Sequence, residues 1–179
     1  MKKFLAVTAA AVLALSVGCS KEEEKPKEEA KPAAATEKKE NDNTEKITLL
    51  NFEGELMQQL REYHAAFNAY AAGAAKEGEE ALPKEELDQL KADAKAAGEK
   101  AVAEIPSVEV PTELSEENQA TVKGALEELK KSYEAKVAGL EDEAKAAEAD
   151  ELFTAFEEKL NTIHEDLKLI PGKFINELQ

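Results

Sequence analysis

Residues 49–74 read LLNFEGELMQQLREYHAAFNAYAAGA. Within them Leu49, Phe52, Leu56, Leu60, Tyr63, Phe67, Tyr70 and Ala74 recur at steps of three and four. An α-helix turns once in 3.6 residues, so these side chains share one stripe, and the intervening Glu, Gln, Arg and Asn fall on other faces. The stripe predicts a first helix over about 45–76, opening near Thr44 and stopped by Gly78 and the polar run to Glu80.

The same spacing recurs downstream. Pro83 stands where a first-turn proline is tolerated. It precedes the stripe Leu87, Leu90, Ala94, Ala97, Ala101 and Ile105 of a second helix. Pro106 and Pro111 bracket Ser107–Val110 and bias it to extended backbone. Thr112 or Ser115 can cap a third helix, with Glu113, Glu116 and Glu117 near its positive end. That helix carries Val122, Leu126, Leu129, Tyr133, Val137, Leu140, Ala144 and Ala147. A fourth shows Leu152/Phe153, Phe156, Leu160, Ile163, Leu167 and Ile170 before Pro171-Gly172, with one last turn in Lys173–Gln179. Between the third and fourth stripes the frame slips by one position, which predicts a turn at about 147–150 with Asp150 as its cap. The alternative is one helix over 113–170 and a three-helix coiled-coil rod. The expected fold is all-α, an up-down bundle of four helices with a thin, alanine-rich core.

Composition narrows the function. The chain has 179 residues, 23 Lys+Arg against 39 Asp+Glu, a net charge of −16, one Cys and two His. One cysteine excludes a disulfide framework and a thiolate metal cluster. The acidity argues against nucleic acid as a partner, since phosphate contacts need Lys and Arg. Residues 1–44 hold eight Lys and eight acids, so the whole −16 belongs to residues 45–179, an acidic helical bundle domain. An anionic leaflet repels that domain taken as a whole.

The start of the chain reads as an address. Lys2 and Lys3 precede an apolar run from Phe4 to Val17, interrupted by Thr8 and Ser16. A spanning helix needs about 20 apolar residues, so this run suits the h-region of a secretory signal over 1–18. It ends in Leu15-Ser16-Val17-Gly18-Cys19-Ser20, which resembles the lipobox of bacterial lipoproteins. Gly18 and Cys19 match that pattern, whereas Ser16 stands where Leu is usual. The resemblance implies cleavage before Cys19, lipid on its thiol and new amine, and attachment to the bacterial cell membrane on its extracytoplasmic side. Stable anchoring takes more than one acyl chain, a condition that this modification meets. Residues 19–44 follow as a charged tether; from Ser20 to Thr44 there is no aromatic, Val, Ile or Leu. Such a segment cannot offset its ordering entropy by burial and is expected to be disordered.

Chemistry-bearing residues are sparse. The residue three before His64 is Arg61 and the one three before His164 is Asn161, so the E-x-x-H of di-iron bundles is missing, as is H-E-x-x-H. No nucleophile–base set emerges, and the expectation is a non-enzymatic module without a cofactor that acts on a protein partner the sequence does not identify. The alternative is a metal-ion or haem binding module, for which the sequence offers two sites. In an up-down bundle the turns after the first and third helices share one end. That end would gather Glu77, Glu79, Glu80, Glu85 and Glu86 with Glu141, Asp142, Glu143, Glu148, Asp150 and Glu151. Such a cap could hold a divalent cation loosely, although no EF-hand spacing is present and a solvated surface is the simpler reading. Met57 in the first helix and His164 in the last resemble the haem ligands of b-type cytochromes of the bacterial envelope. A gap-filling methionine and a partly exposed histidine is the simpler reading. At the opposite end Val108, Val110, Phe174 and Ile175 are expected to plug the bundle, or else to form an apolar patch.

Overall fold

The computed structural model describes residues 33–178, with side chains from residue 42 onward. The signal segment, Cys19 and the tether up to residue 32 lie outside the described residues. The rest is an all-α up-down bundle of four helices: α1 Ala33–Ala74, α2 Lys84–Glu104, α3 Glu116–Gly139 and α4 Glu143–Asp166. Three 3₁₀ turns, Gly78–Glu80, Ile105–Ser107 and Phe174–Glu177, complete the secondary structure of the described residues, among which there is no strand.

Helix α1 spans 42 residues, about 63 Å, whereas α3 and α4 have 24 each, about 36 Å. It begins at Ala33 rather than near Thr44. The stretch AAATEKKE has no apolar stripe, yet Ala, Glu and Lys are strong helix formers. Helix formation there extends α1 into a segment that hydrophobic periodicity alone assigned to the tether. From Leu49 to Tyr63 the expected stripe is buried, with Leu49 and Leu60 fully so. Phe67 and Tyr70 are partly buried and Ala74 is exposed.

The α3–α4 turn lies at Leu140–Asp142, not at 147–150, which rules out the three-helix rod. Asp142, not Asp150, caps α4, its carboxylate accepting from the Ala144 amide at 2.9 Å. Gly139 makes the corner possible. A Cβ there would sit 2.8 Å from both the amide nitrogen and the Cα of Ala146. The early turn leaves Ala144 and Ala147 exposed and places Ala149 at the core end of α4. At the start of α3 the cap is Ser115, whose Oγ accepts from the Asn118 amide at 3.3 Å.

Core packing follows from residue size. α1, α3 and α4 supply Leu, Phe, Tyr, Val and Ile, while α2 buries only Ala94, Gly98 and Ala101. Each fully buried Leu, Ile or Phe contributes roughly 1.5–3 kcal/mol, so α2 adds little area of its own. Its small residues instead admit neighbours: a Cβ on Gly98 would meet Val137 Cγ2 at 2.5 Å and Phe67 Cζ at 2.9 Å. Aromatic edges tie the centre together, with Tyr133 against Tyr63 at 5.7 Å and against His64 at 5.6 Å.

Helix α4 stops at Asp166, short of Ile170. The Leu169 amide bonds the His164 carbonyl at 2.7 Å and the Lys168 amide bonds that of Glu165 at 3.0 Å, a Schellman closure. Lys168 takes the left-handed position at φ 57°. Ile170, expected in the core, is 88% exposed as a result. The chain then turns back along the seam between α1 and α4 as a strap. Asn161 exchanges two hydrogen bonds with Gly172, the Ile175 amide donates to Glu157, and Asn68 donates to the Leu178 carbonyl. Phe174 lies on Phe156, ring centres 5.8 Å apart, and Leu178 is buried. Phe174 and Ile175 therefore line this seam and do not join Val108 and Val110 in a terminal plug.

Candidate functional site: a groove beneath the α2–α3 connection

The connection from α2 to α3 is built as a fixed arch. Ile105 and Leu114 anchor its two feet in the core. Between them Pro106 and Pro111 restrict the backbone, and Val108 is extended at φ −65°, ψ 120°. From α3 the Gln119 side chain donates to the carbonyls of Leu114 at 2.7 Å and Thr112 at 3.3 Å, which holds the arch down. Beneath it runs an open groove of about 540 Å³. Ile105, Pro106, Val108, Val110 and Leu126 give it an apolar lining, and Thr112, Gln119, Lys123, Glu127 and Lys130 edge it. Lys130 is paired with Glu134. Such a size and lining suit an apolar side chain or a short segment of a partner. A second groove of about 410 Å³ lies between α2 and α3 at the other end, beside Lys91, Lys95, Val137 and Leu140.

The residues singled out for metal or haem are placed otherwise. Glu141 reaches Lys91 at 2.8 Å, Asp142 caps α4, and Asp150 lies 3.9 Å from Lys136. The Lys91–Glu141 bond also raises the Lys91 pKa. Glu143 is exposed in the first turn of α4, where a carboxylate favours the helix N-terminus. Among the described residues no three His, Cys, Asp or Glu side chains converge in a metal-ligand set.

His164 is buried, not partly exposed, and both of its ring nitrogens are engaged. Nδ1 meets the Ile170 carbonyl at 2.7 Å, and Nε2 meets the two Glu53 oxygens at 2.8 and 3.0 Å. The carbonyl requires a proton on Nδ1, and a carboxylate opposite Nε2 favours a second, so the ring is an imidazolium paired with Glu53. The hydrogen bond to Glu53 raises the His164 pKa against the opposing effect of burial. A haem iron would have to displace one of these partners. Met57 is buried in the core beside the same seam.

His64 has the opposite environment. It packs edge-on against Tyr133 and Phe153, and among the described residues its Nε2 has no hydrogen-bond partner. Burial, with Lys136 nearby, lowers its pKa to about 4, so the ring is neutral. The Tyr133 hydroxyl is likewise buried without a partner, and burial raises its pKa.

Sequence reasoning missed the groove: Val108 and Val110 do pack against the core, as a plug requires, but they also line an open concavity. It also missed Glu53, although the signal was present: Glu53 lies on the core stripe, four after Leu49 and three before Leu56. An acid inside an apolar stripe demands a partner. Neither the protein-family models, the curated proteins nor the solved structures compared with the chain give a match.

Proposed function

We propose that this chain is an extracytoplasmic lipoprotein, anchored through lipid on Cys19, whose helical domain works by protein contact rather than catalysis. The anchor rests on the run Phe4–Val17 and the Gly18-Cys19 pair that closes it. The observation that carries the contact reading is the groove beneath the α2–α3 arch, with an apolar lining and a polar edge, under an arch fixed in place by the Gln119 hydrogen bonds. A preformed apolar concavity spares its partner much of the ordering cost of association.

Two experiments test the two halves. Cys19→Ser is expected to move the protein out of the membrane fraction; unchanged fractionation overturns the anchor. A photo-crosslinking residue at Val110 or Lys123 is expected to give one discrete adduct in living cells, and one at Glu99, exposed on α2, none. Equal labelling at all three positions overturns the groove as the contact site.

A further inference from the structure

Pro106, Val108, Val110 and Thr112 all line the groove, a two-residue repeat that fits extended backbone along the arch. Ser107 and Glu109 instead border a smaller hollow of about 200 Å³ on the α1 side, with Glu55 and Gln59. In an extended chain the amide and carbonyl of one residue share an edge, and those of the next take the opposite edge. The Val108 carbonyl and both backbone groups of Val110 therefore lie on one edge of the arch, and those of Glu109 on the other. Among the described residues none of these groups has a hydrogen-bond partner.

An unpaired extended edge beside an apolar concavity is the arrangement that recognises extended peptides: main-chain bonds hold the segment, and alternate side chains enter the pocket. A helix in the groove, its backbone already satisfied, would leave the arch groups without partners. Charge narrows the occupant further. Glu109 and Glu55 share the outer side of the arch, and among the described residues neither has a cation within ion-pair distance. On the groove side Lys123 and Glu127, one turn apart on α3, offset each other, and Lys130 is paired with Glu134. The net charge of −16 also steers a basic segment toward the domain.

We propose that the arch takes up an extended segment of a partner protein, which pairs its backbone with Val108–Val110, sets alternate apolar side chains in the groove and turns Lys or Arg toward Glu109 and Glu55. The inference rests on the contact reading of the groove and adds the conformation and charge of what enters it. Facing side chains on one side of a paired segment lie about 4.5–5.5 Å apart, so a basic residue beside Glu109 is within reach of it. The paired stretch is short. The Val108 amide is already taken by the Ile105 carbonyl, and Pro111 has no amide to offer. Prolines at both ends also keep the arch from templating further strands.

The test uses the full chain in a neutral detergent at physiological salt, with a fluorescein-labelled peptide Lys-Val-Lys-Val-Lys as the probe. Binding is expected to slow hydrogen exchange at the Glu109 and Val110 amides. Methylating the two Val amides of the peptide keeps its charge and side chains, and is expected to weaken binding about tenfold through lost backbone hydrogen bonds. Glu109→Lys combined with Glu55→Lys is expected to turn the preference toward Glu-Val-Glu-Val-Glu. A peptide that does not bind, that binds without slowing these amides, or that binds equally well when methylated overturns the pairing. Discrete crosslinks at Val110 and Lys123 in living cells then leave the contact reading standing. Equal labelling at Val110, Lys123 and Glu99 overturns the contact reading and this inference with it.

Discussion

Glu53 and His164 are 111 residues apart in the chain, and both carboxylate oxygens of the first lie within 3.0 Å of Nε2 of the second. This is the main polar tie between α1 and α4, and it carries the start of the strap through the Ile170 carbonyl. The His164 pKa is raised above its ordinary value in the folded state. The folded protein therefore binds this proton more tightly than the unfolded chain. Its stabilising effect is complete below about pH 6.5 and is lost as pH rises through the folded-state pKa. Glu53→Gln should cost about 2 kcal/mol at pH 6 and markedly less at alkaline pH. Urea melts of both proteins across pH 5.5–9 check this, and a pH-independent difference would refute it.

His64 tilts the balance the other way. Its folded-state pKa is about 4 against an unfolded 6.5, so the unfolded chain takes up the proton first as pH falls. Stability is fully present above about pH 6.5 and declines towards pH 4, by about 3 kcal/mol from this group. His64→Phe keeps the edge-on packing against Tyr133 and Phe153 and removes the titration. The variant should lose this part of the acid-side decline, read as a flatter melting temperature between pH 6.5 and 4.

Two glycines in helices should respond with opposite sign. Gly139→Ala drives a methyl group into the backbone of Ala146, which cannot rotate away, and should cost about 1–3 kcal/mol. At Gly54 an added Cβ meets nothing within 4 Å, so Gly54→Ala should gain about 0.5–1 kcal/mol from lower unfolded-state entropy. Denaturant midpoints of the pair decide the matter.

Lys168 occupies a left-handed position that glycine takes without strain. Lys168→Gly should stabilise the domain by about 1 kcal/mol, because the Schellman hydrogen bonds run through the backbone and survive the change. Lys168→Ala should give no such gain, which isolates the backbone term from the lost charge.

The helices were legible because their stripes are long and regular; Leu49 to Tyr63 and Phe153 to Leu167 lie inward as the spacing requires. Their ends were not. Periodicity runs straight through Gly139, whose effect depends on Ala146 lying against it, a tertiary fact. At the other extreme the AAATEKKE stretch is helical on propensity with no core to mark it. The candidate groove needed the arch to be seen folded over α3, and the Glu53–His164 pair needed two distant stripes set in register. Glu53 alone could have been flagged, as an acid on an apolar face.

The Gly139 corner also sets an order in time. Ser132 donates to the Ala149 carbonyl across only 17 residues of chain, whereas α1 reaches α4 across 111. Short loops close at lower entropic cost, so the α3–α4 hairpin should form before α1 docks on α4. In native-state hydrogen exchange, amides around Ser132 and Ala149 should then open only with global unfolding, while those of α1 exchange earlier, through detachment of that helix as a unit.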